Sequence, residues 1–318
     1  MKNILITNRY AGEPLEIVYE LCPARFRLLF PSGEHGGCLD EQIKDADYLL
    51  VSGRLSITGD ILSKAGRLKM IQRTGVGLEM LDMESIRQKG IPLYVNRGIN
   101  AESVAEHTLL LILACLRRLI NLDKNTKARI WSKQEQGVRT FELHGKTVGI
   151  FGMGQTARAL VKLLKPFNTR ILYYDPFQRS TDEGLQFCKF EELLTESDIL
   201  TIHCPLTQET QGMINRHAIQ KMKDGVVLIN TARGKIINTK DLISALEAGK
   251  ISYAALDVYE EEPPKDVLCF SGLDNIILTP HIAGVTNDSF RQMISRSFYN
   301  IACFDEGKPE EIEQYRMI

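Results

Sequence analysis

The sequence lacks the short motifs that mark several common classes of enzyme. Its 318 residues include seven cysteines but no C-x-x-C pair, so we expect neither a disulfide framework nor a zinc ribbon. It also contains no H-E-x-x-H and no G-x-S-x-G, the motifs typical of zinc peptidases and serine hydrolases. The sequence therefore predicts a cytoplasmic protein with reduced thiols and without a metal site.

The chain also lacks an excess of charge of either sign and any long apolar run. Its 39 lysines and arginines almost balance its 40 aspartates and glutamates, so charge gives no reason to expect nucleic acid or an anionic membrane as partner. The longest apolar stretch, residues 109–116, is much shorter than the ~20 residues that span a bilayer. The first residues resemble a strand more than a signal peptide. We therefore expect no nucleic-acid or membrane partner.

What the sequence does contain is a glycine turn between an apolar strand and a helix. The pattern G-x-G-x-x-A is supplied by Gly152, Gly154 and Ala157, directly after the apolar residues 147–151. Gly152 permits the tight turn, Gly154 lets the backbone approach a pyrophosphate, and the helix start faces that anion. The next apolar strand ends at Asp175, about 20 residues further on, where a carboxylate would accept ribose hydroxyls and repel the extra phosphate of NADP. NAD is the predicted cofactor.

The alternation of strands and helices after residue 147 predicts a doubly wound Rossmann sheet. Six parallel strands are expected, at residues 147–151, 170–174, 198–203, 225–230, 252–257 and 275–278. Helices near residues 155–165, 190–195, 216–222 and 239–248 fill the gaps. In such a sheet the ligand site lies at the carboxyl ends of the strands.

The first hundred residues show the same alternation and predict a flavodoxin-like α/β domain. Its strands are expected at residues 3–7, 26–30, 48–52, 68–74 and 92–96, with helical stretches at 59–64 and 83–89. A last amphipathic helix, near residues 289–305, is expected to pack back on this domain. We therefore divide the chain into a discontinuous substrate-binding domain, residues 1–98 plus 287–318, and an NAD-binding Rossmann domain, residues 99–286.

Residues 101–119 predict a long helix that is apolar nearly all round, and we expect it to be buried between the two domains. His107 lies in this helix and is interpreted as a packed, hydrogen-bonded histidine. Residues 121–142 contain the only tryptophan, Trp131, and are polar and irregular. They suit a surface arm or a subunit contact.

Polar residues that could carry chemistry follow three strands of the predicted Rossmann sheet. Arg233 offers a planar fork for a carboxylate, three glutamates at residues 260–262 follow Asp257, and His281 follows the last strand. Beside a nicotinamide, Arg233 would polarise a 2-oxo acid, His281 would move the proton, and one glutamate would hold the imidazole. Alternatively, the arginine forms a surface ion pair, the glutamates a solvated turn, and the histidine a loop contact.

At these residues the sequence resembles the D-isomer-specific 2-hydroxyacid dehydrogenases, the family of D-lactate, glyoxylate/hydroxypyruvate and 3-phosphoglycerate dehydrogenases. The likeness covers nearly the whole chain. Besides the glycine fingerprint, it is carried by the turn at 75–77 and by Ser103-Val-Ala-Glu106, His203-Cys-Pro-Leu-Thr207, Asn230-Thr-Ala-Arg-Gly234, Leu256-Asp-Val-Tyr-Glu-Glu-Glu-Pro263 and Pro280-His-Ile-Ala-Gly284.

The resemblance implies a role for each site residue. It assigns Arg233 to substrate binding and catalysis, His281 to acid–base catalysis, and Glu262 to holding the imidazole. Val76 and Gly77 would give backbone N–H groups to the substrate carboxylate. The implied NAD contacts are Gly152, Gly154, Gln155, Thr156, Asp175, Cys204, Pro205, Thr231, Ala232, Arg233, Asp257, His281, Ala283 and Gly284. Family members are usually cytoplasmic homodimers joined through the cofactor domain, and their substrates are small 2-oxo or 2-hydroxy acids.

Departures from the family pattern bear on the substrate. Many members carry Arg-Ser where this chain has Ser52-Gly53, with Arg54 displaced, and in phosphoglycerate enzymes that arginine resembles part of the phosphate site. A phosphate-free acid such as glyoxylate, hydroxypyruvate or D-lactate is therefore favoured over 3-phosphoglycerate. Arg97 is a candidate for added positive charge near the substrate. The alternative from another class is a non-catalytic NAD(H)-sensing co-repressor.

Overall fold

The chain divides into two compact units in a computed structural model that describes residues 1–31, 39–53, 55–177, 184–264 and 267–318. The first unit comprises Met1–Ile99 and Asn287–Ile318, and the second comprises Asn100–Thr286. The first unit is thus discontinuous in sequence. Arg54, which the sequence comparison singles out, lies outside the described residues.

The first unit is built on a parallel sheet of five strands. The strands are β1 (Lys2–Ile6), β2 (Phe26–Leu29), β3 (Tyr48–Val51), β4 (Met70–Arg73) and β5 (Leu93–Val95), in the order β2-β1-β3-β4-β5. This is the strand order of flavodoxin-like sheets, so the predicted fold class is confirmed. Among the described residues between these strands are the α-helices α1 (Glu13–Leu21), α2 (Gly59–Ser63) and α3 (Met83–Gln88).

The second unit is a larger parallel α/β domain. Its helices are α4 (Ala101–Arg117), α5 (Leu119–Lys127), α6 (Lys133–Gly137), α7 (Gln155–Leu164), α8 (Phe190–Glu196), α9 (Arg216–Lys221) and α10 (Thr239–Glu247). Its strands are β6 (Thr147–Phe151), β7 (Arg170–Tyr174), β8 (Leu185–Phe187), β9 (Ile199–Ile202), β10 (Val226–Asn230), β11 (Ile251–Leu256) and β12 (Ile276–Leu278), in the order β12-β11-β10-β9-β6-β7-β8. The strand order reverses between β6 and β9, and this switch point is where Rossmann folds bind their ligands.

The sequence-based count of six strands was wrong by one, because the short edge strand β8 was missed. Only three residues of β8 pair with β7, and such a short segment carries too little hydrophobic alternation to be recognised. The strand expected third, β9, is the fourth in sequence and pairs with the other side of β6. The Rossmann architecture is unaffected.

After the second unit the chain returns to the first as helix α11 (Asn287–Asp305). The helix packs on the sheet of the first unit through Ile294, Phe298 and Ile301, which share a buried cluster with Ile4 and Ile6. The clustering of these residues agrees with the amphipathic pattern in the sequence, since apolar residues three and four apart line one helix face. The last segment of the chain is therefore part of the core of the first unit.

The helix predicted over residues 101–119 is interrupted and is not buried all round. Arg118 adopts a left-handed conformation with φ 50°, which ends α4 and starts α5. Leu111 and Ile112 are fully buried in the core of the second unit, whereas Leu110 is 54% exposed. The segment after it, expected to be irregular, contains the short helices α5 and α6.

One close contact of the second sheet makes a stability prediction. A Cβ atom at Gly149 in β6 would lie 1.9 Å from Oγ of Ser197, which is itself buried and donates to the carbonyl of Leu193 at 2.5 Å. We expect Gly149→Ala to lower the free energy of unfolding by about 1–3 kcal/mol, as overpacking does. The measurement is urea unfolding followed by circular dichroism.

Gly154→Ala is the matched control, because a Cβ at Gly154 meets no atom within 4 Å and its φ is negative. We expect that variant to stay within about 0.5 kcal/mol of the parent. Equal stability of both variants would contradict the close packing of β6 against Ser197.

Candidate active site

The glycine turn between β6 and α7 has the geometry that a dinucleotide needs. Gly152 has φ 95°, and a Cβ there would lie 2.5 Å from the backbone nitrogen of Cys204, so only glycine fits. Ala157, in the first turn of α7, is fully buried and packs in the core of the second unit. The turn therefore holds the start of α7 close to the sheet edge.

The start of α7 offers backbone donors to an anion. Gln155 and Thr156 lie in its first turn, where backbone N–H groups have no partner within the helix. A Cβ at Gly154 would project into open space at this point, so the backbone is accessible to a pyrophosphate. The chain's own residues thus fit the phosphate half of NAD.

Asp175 lies after β7, beside the glycine turn. Its carboxylate accepts the N–H groups of Met153 and Phe177, each at 2.8 Å. The side chain is therefore oriented by the turn that it adjoins. Its predicted contact with the ribose hydroxyls remains a prediction.

The segment after β9 lies against the same turn. The backbone nitrogen of His203 donates to the carbonyl of Phe151 at 2.7 Å, and its imidazole Nε2 lies 2.9 Å from Oγ1 of Thr201. Burial lowers the pKa of His203 to about 4, so this imidazole is neutral near pH 7. Cys204 is buried next to Gly152, and burial raises the pKa of its thiol to about 12. Neutral side chains thus line this part of the predicted cofactor site, which continues into Pro205.

Arg233 is presented by a turn that the end of β10 organises. The buried Asn230 accepts the N–H of Ala232 at 3.0 Å and donates to the carbonyl of Arg233 at 3.0 Å. Thr231 in the same turn is hydrogen bonded to Thr108 through the two hydroxyls, 3.0 Å apart. Arg233 also donates to the carbonyl of Ala232 at 2.8 Å. The arginine therefore stands on a backbone that its own loop fixes.

The residue after Arg233 is a glycine because it lies directly against another backbone segment. A Cβ atom at Gly234 would lie 1.9 Å from the carbonyl carbon of Tyr259 and 2.5 Å from the nitrogen of Glu260. The Arg233 turn therefore packs directly on the backbone that leads to the three glutamates.

The structure brings Glu262 and His281 together. The imidazole Nδ1 of His281 lies 2.6 Å from Oε2 of Glu262, and the backbone N–H of Tyr259 donates to Oε1 of the same carboxylate at 2.9 Å. Glu260 points elsewhere, since it accepts the N–H of Thr239 at 2.8 Å. A carboxylate on Nδ1 fixes the tautomer and the ring orientation and leaves Nε2 for proton exchange.

Asp257 lies beneath the loop that carries His281. Its side chain is fully buried and accepts three hydrogen bonds, from Oγ1 of Thr279 at 2.6 Å and from the N–H groups of Ile282 and Ala283 at 2.9 Å. The family resemblance implies that Asp257 contacts NAD, and this contact stays a prediction. In the structure both oxygens of the carboxylate hold the loop that carries His281.

Two neighbours complete this loop. His107 in α4 places Nε2 3.3 Å from Oγ1 of Thr279, which agrees with its interpretation as a packed histidine. Gly284 has Asn100 so close that a Cβ would lie 2.2 Å from its amide nitrogen. The loop from Thr279 to Gly284 is thus held on several sides.

The glycine turn expected to bind the substrate carboxylate belongs to the first unit. Val76 is 52% exposed, and the carbonyl of Gly77 accepts Nε of Arg73 at 3.0 Å. Arg73 also donates to the carbonyls of Val51 and Gly53 at 3.2 and 3.3 Å. The sequence did not single out Arg73, because an arginine at a strand end has many possible partners and only the fold brings these carbonyls to it.

The described residues form neither a candidate metal site nor a candidate membrane span. No group of three or more His, Cys, Asp or Glu side chains in those ranges is arranged to hold a metal ion. Within the same ranges, no helix combines the length and the hydropathy needed to cross a membrane.

Comparison with known proteins agrees with this geometry. Residues 109–283 match the family model described as D-isomer specific 2-hydroxyacid dehydrogenase, NAD binding domain. A hydroxypyruvate reductase of Thermotoga maritima is 37% identical over 79% of this chain and 82% of its own length. A D-3-phosphoglycerate dehydrogenase of Archaeoglobus fulgidus is 36% identical over 79% of this chain, but the chain spans only about half of that relative, 48%.

A solved structure matches over both units. The D-lactate dehydrogenase of Aquifex aeolicus, solved with NAD and lactic acid, superposes with a TM-score of 0.86 at 29% identity, covering 99% of each chain. The family inferred from the motifs is confirmed. This chain belongs to the D-isomer specific 2-hydroxyacid dehydrogenases, and it is an oxidoreductase whose cofactor is NAD.

Proposed function

We propose that this protein interconverts a small, phosphate-free D-2-hydroxy acid and its 2-oxo acid. The observation that carries the proposal is the 2.6 Å pair of Glu262 and His281, in the same unit as Arg233 and the glycine turn. These are the groups that reversible hydride transfer to a carbonyl requires, namely an acid–base residue, a cation for the carboxylate and a dinucleotide site.

The proposal gives each of these residues a defined role. His281 gives a proton to the substrate oxygen in reduction and takes it back in oxidation, while Glu262 stabilises the imidazolium. Arg233 binds the substrate carboxylate and polarises the adjacent carbonyl. The backbone N–H groups of Val76 and Gly77 remain the proposed donors to a substrate carboxylate. When NADH is bound, its nicotinamide supplies the hydride.

Glyoxylate, hydroxypyruvate and pyruvate are the proposed substrate class. The names of the relatives, hydroxypyruvate reductase and glyoxylate reductase among them, support it. Phosphoglycerate is the weaker alternative. By the family resemblance, Ser52-Gly53 stands where many members carry Arg-Ser, and in phosphoglycerate enzymes that arginine resembles part of the phosphate site.

The test is loss of NADH absorbance with a panel of 2-oxo acids. The panel comprises glyoxylate, hydroxypyruvate, pyruvate, longer 2-oxo acids and phosphohydroxypyruvate. We expect turnover of a small phosphate-free member, and a decrease of about 10²–10⁴-fold in kcat for His281→Ala, the usual contribution of a general acid. Tight NADH binding without turnover of any member would contradict the proposed reaction and favour an NAD(H) sensor.

The proposed ribose contact of Asp175 predicts cofactor preference. Replacing Asp175 by Asn removes the negative charge but keeps an acceptor for the N–H of Met153. We expect the ratio of kcat/KM for NADH over NADPH to fall by about tenfold, since a like-charge repulsion of about 1.4 kcal/mol is removed. An unchanged ratio with unchanged thermal stability would remove Asp175 from the cofactor site.

We propose that the second unit also forms a homodimer interface through the segment from α4 to residue 141. Large apolar side chains are exposed along this segment, with Trp131 at 82% and Val138 at 81%, together with Leu110, Ile120 and Phe141. Exposed apolar and aromatic groups of this kind favour a protein interface.

Five cysteines, Cys22, Cys115, Cys188, Cys204 and Cys303, are free thiols, which supports a cytoplasmic location.

The interface is tested with a double variant, Trp131→Glu and Val138→Glu. We expect sedimentation equilibrium to give a dimer for the parent and a monomer for the variant, because two charges would be desolvated in the interface. Tyr19→Glu is the control, because Tyr19 is an exposed aromatic residue of the first unit. A dimer in all three proteins would place the interface elsewhere.

A further inference from the structure

The backbone of His281 has an unusual conformation that its surroundings must maintain. His281 has φ 55°, in the left-handed region that L residues rarely adopt. Such a conformation persists only where neighbouring groups over-determine it, and it is common at active sites. The groups that hold this backbone therefore control the direction of the imidazole.

One of these groups is the phenol of Tyr259, which follows β11. Its hydroxyl donates to the carbonyl of Thr279 at 2.9 Å, and the same carbonyl accepts the N–H of His281 at 3.1 Å. The turn from Thr279 to His281 is thus anchored at its first carbonyl. Asp257 holds the following residues, Ile282 and Ala283, from the other end of the loop.

Tyr259 also contacts the partner of the histidine. Its backbone N–H donates to Oε1 of Glu262 at 2.9 Å, while Oε2 of that carboxylate pairs with His281. In addition, the carbonyl group of Tyr259 lies in close contact with Gly234, the residue that follows Arg233. Tyr259 therefore contacts residues that hold or adjoin each of the three side chains proposed for catalysis.

The hydroxyl of Tyr259 stays a donor at any pH at which the enzyme would work. Burial, with the charges of Asp257 and Glu262 beside it, raises the pKa of Tyr259 to about 12. A protonated phenol can make only one donation, and the carbonyl of Thr279 is its nearest acceptor. The contact is thus a fixed link between the end of β11 and the histidine loop.

We propose that Tyr259 is a positioning residue, whose hydroxyl holds His281 in the orientation that proton transfer to the substrate requires. This inference rests on the proposed function, because it takes the pair of Glu262 and His281 as the acid–base group. The hydroxyl does not touch the reacting atoms. Its effect is exerted through the carbonyl of Thr279.

The experiment compares Tyr259→Phe with Tyr253→Phe. Tyr253 lies in β11 itself, and its hydroxyl also makes a partly buried hydrogen bond, donating to Oδ1 of Asn121 at 2.6 Å. Burial raises the pKa of Tyr253 to about 12 as well, so the two variants remove equivalent groups. The matched control therefore separates loss of a hydrogen bond from loss of positioning.

We expect kcat of Tyr259→Phe to fall by about tenfold, because small displacements of a catalytic group cost this much or more. KM for NADH should stay within about twofold, since the cofactor's phosphate site is untouched. Tyr253→Phe should keep the parent kcat. A parent-like kcat for Tyr259→Phe, or an equal loss in both variants, would overturn the inference.

A crystal structure of each variant gives a readout that does not depend on turnover. We expect Tyr259→Phe to change φ of His281 or lengthen its 2.6 Å contact with Glu262, and Tyr253→Phe to leave both as they are. If the parent turns over no acid of the panel, the proposed function fails while this comparison still decides the inference. An unchanged His281 in Tyr259→Phe would then overturn it.

Discussion

The buried carboxylate of Asp257 is the constraint on which the active-site loop depends. A carboxylate without solvent must be compensated by hydrogen bonds, because an unpaired buried charge costs several kcal/mol. Here the donors are Thr279, Ile282 and Ala283, which surround His281 on both sides. Satisfying the charge therefore folds the loop, and the loop in turn presents the imidazole to Glu262.

Polar side chains hold the loops in the same way at two other strand ends of the second unit. The amide of Asn230 organises the turn that carries Arg233, and the carboxylate of Asp175 binds the turn of Gly152 and Met153. In each case a polar side chain at the carboxyl end of a parallel strand satisfies loop N–H or C=O groups, which a buried loop cannot leave unpaired. Three separate loops thereby lie at the carboxyl edge of the sheet, where the Rossmann fold binds its ligand.

Most of the site could be predicted from the sequence, because its signals are local. The G-x-G-x-x-A turn, the strand before it and Asp175 lie within one strand–helix–strand unit, and the structure has β6 and β7 at the predicted bounds. The pairing of a glutamate with His281 was also predicted, although the residues alone left three glutamates open. The edge strand β8 and the break at Arg118 were missed, because each depends on tertiary pairing and packing that leaves little local pattern.

The sequence by itself determined the α/β class, the dinucleotide turn and the side chains that are proposed for catalysis. These follow from periodicity, from a glycine turn that needs residues without a side chain, and from the motifs that carry the family resemblance. Only the tertiary structure decided which groups hold those side chains in place. Tyr259 and Thr279 are 20 residues apart, and Arg73 bonds to carbonyls of another strand's loop. Such contacts depend on how strands are ordered across a sheet, which side-chain chemistry along the chain does not encode.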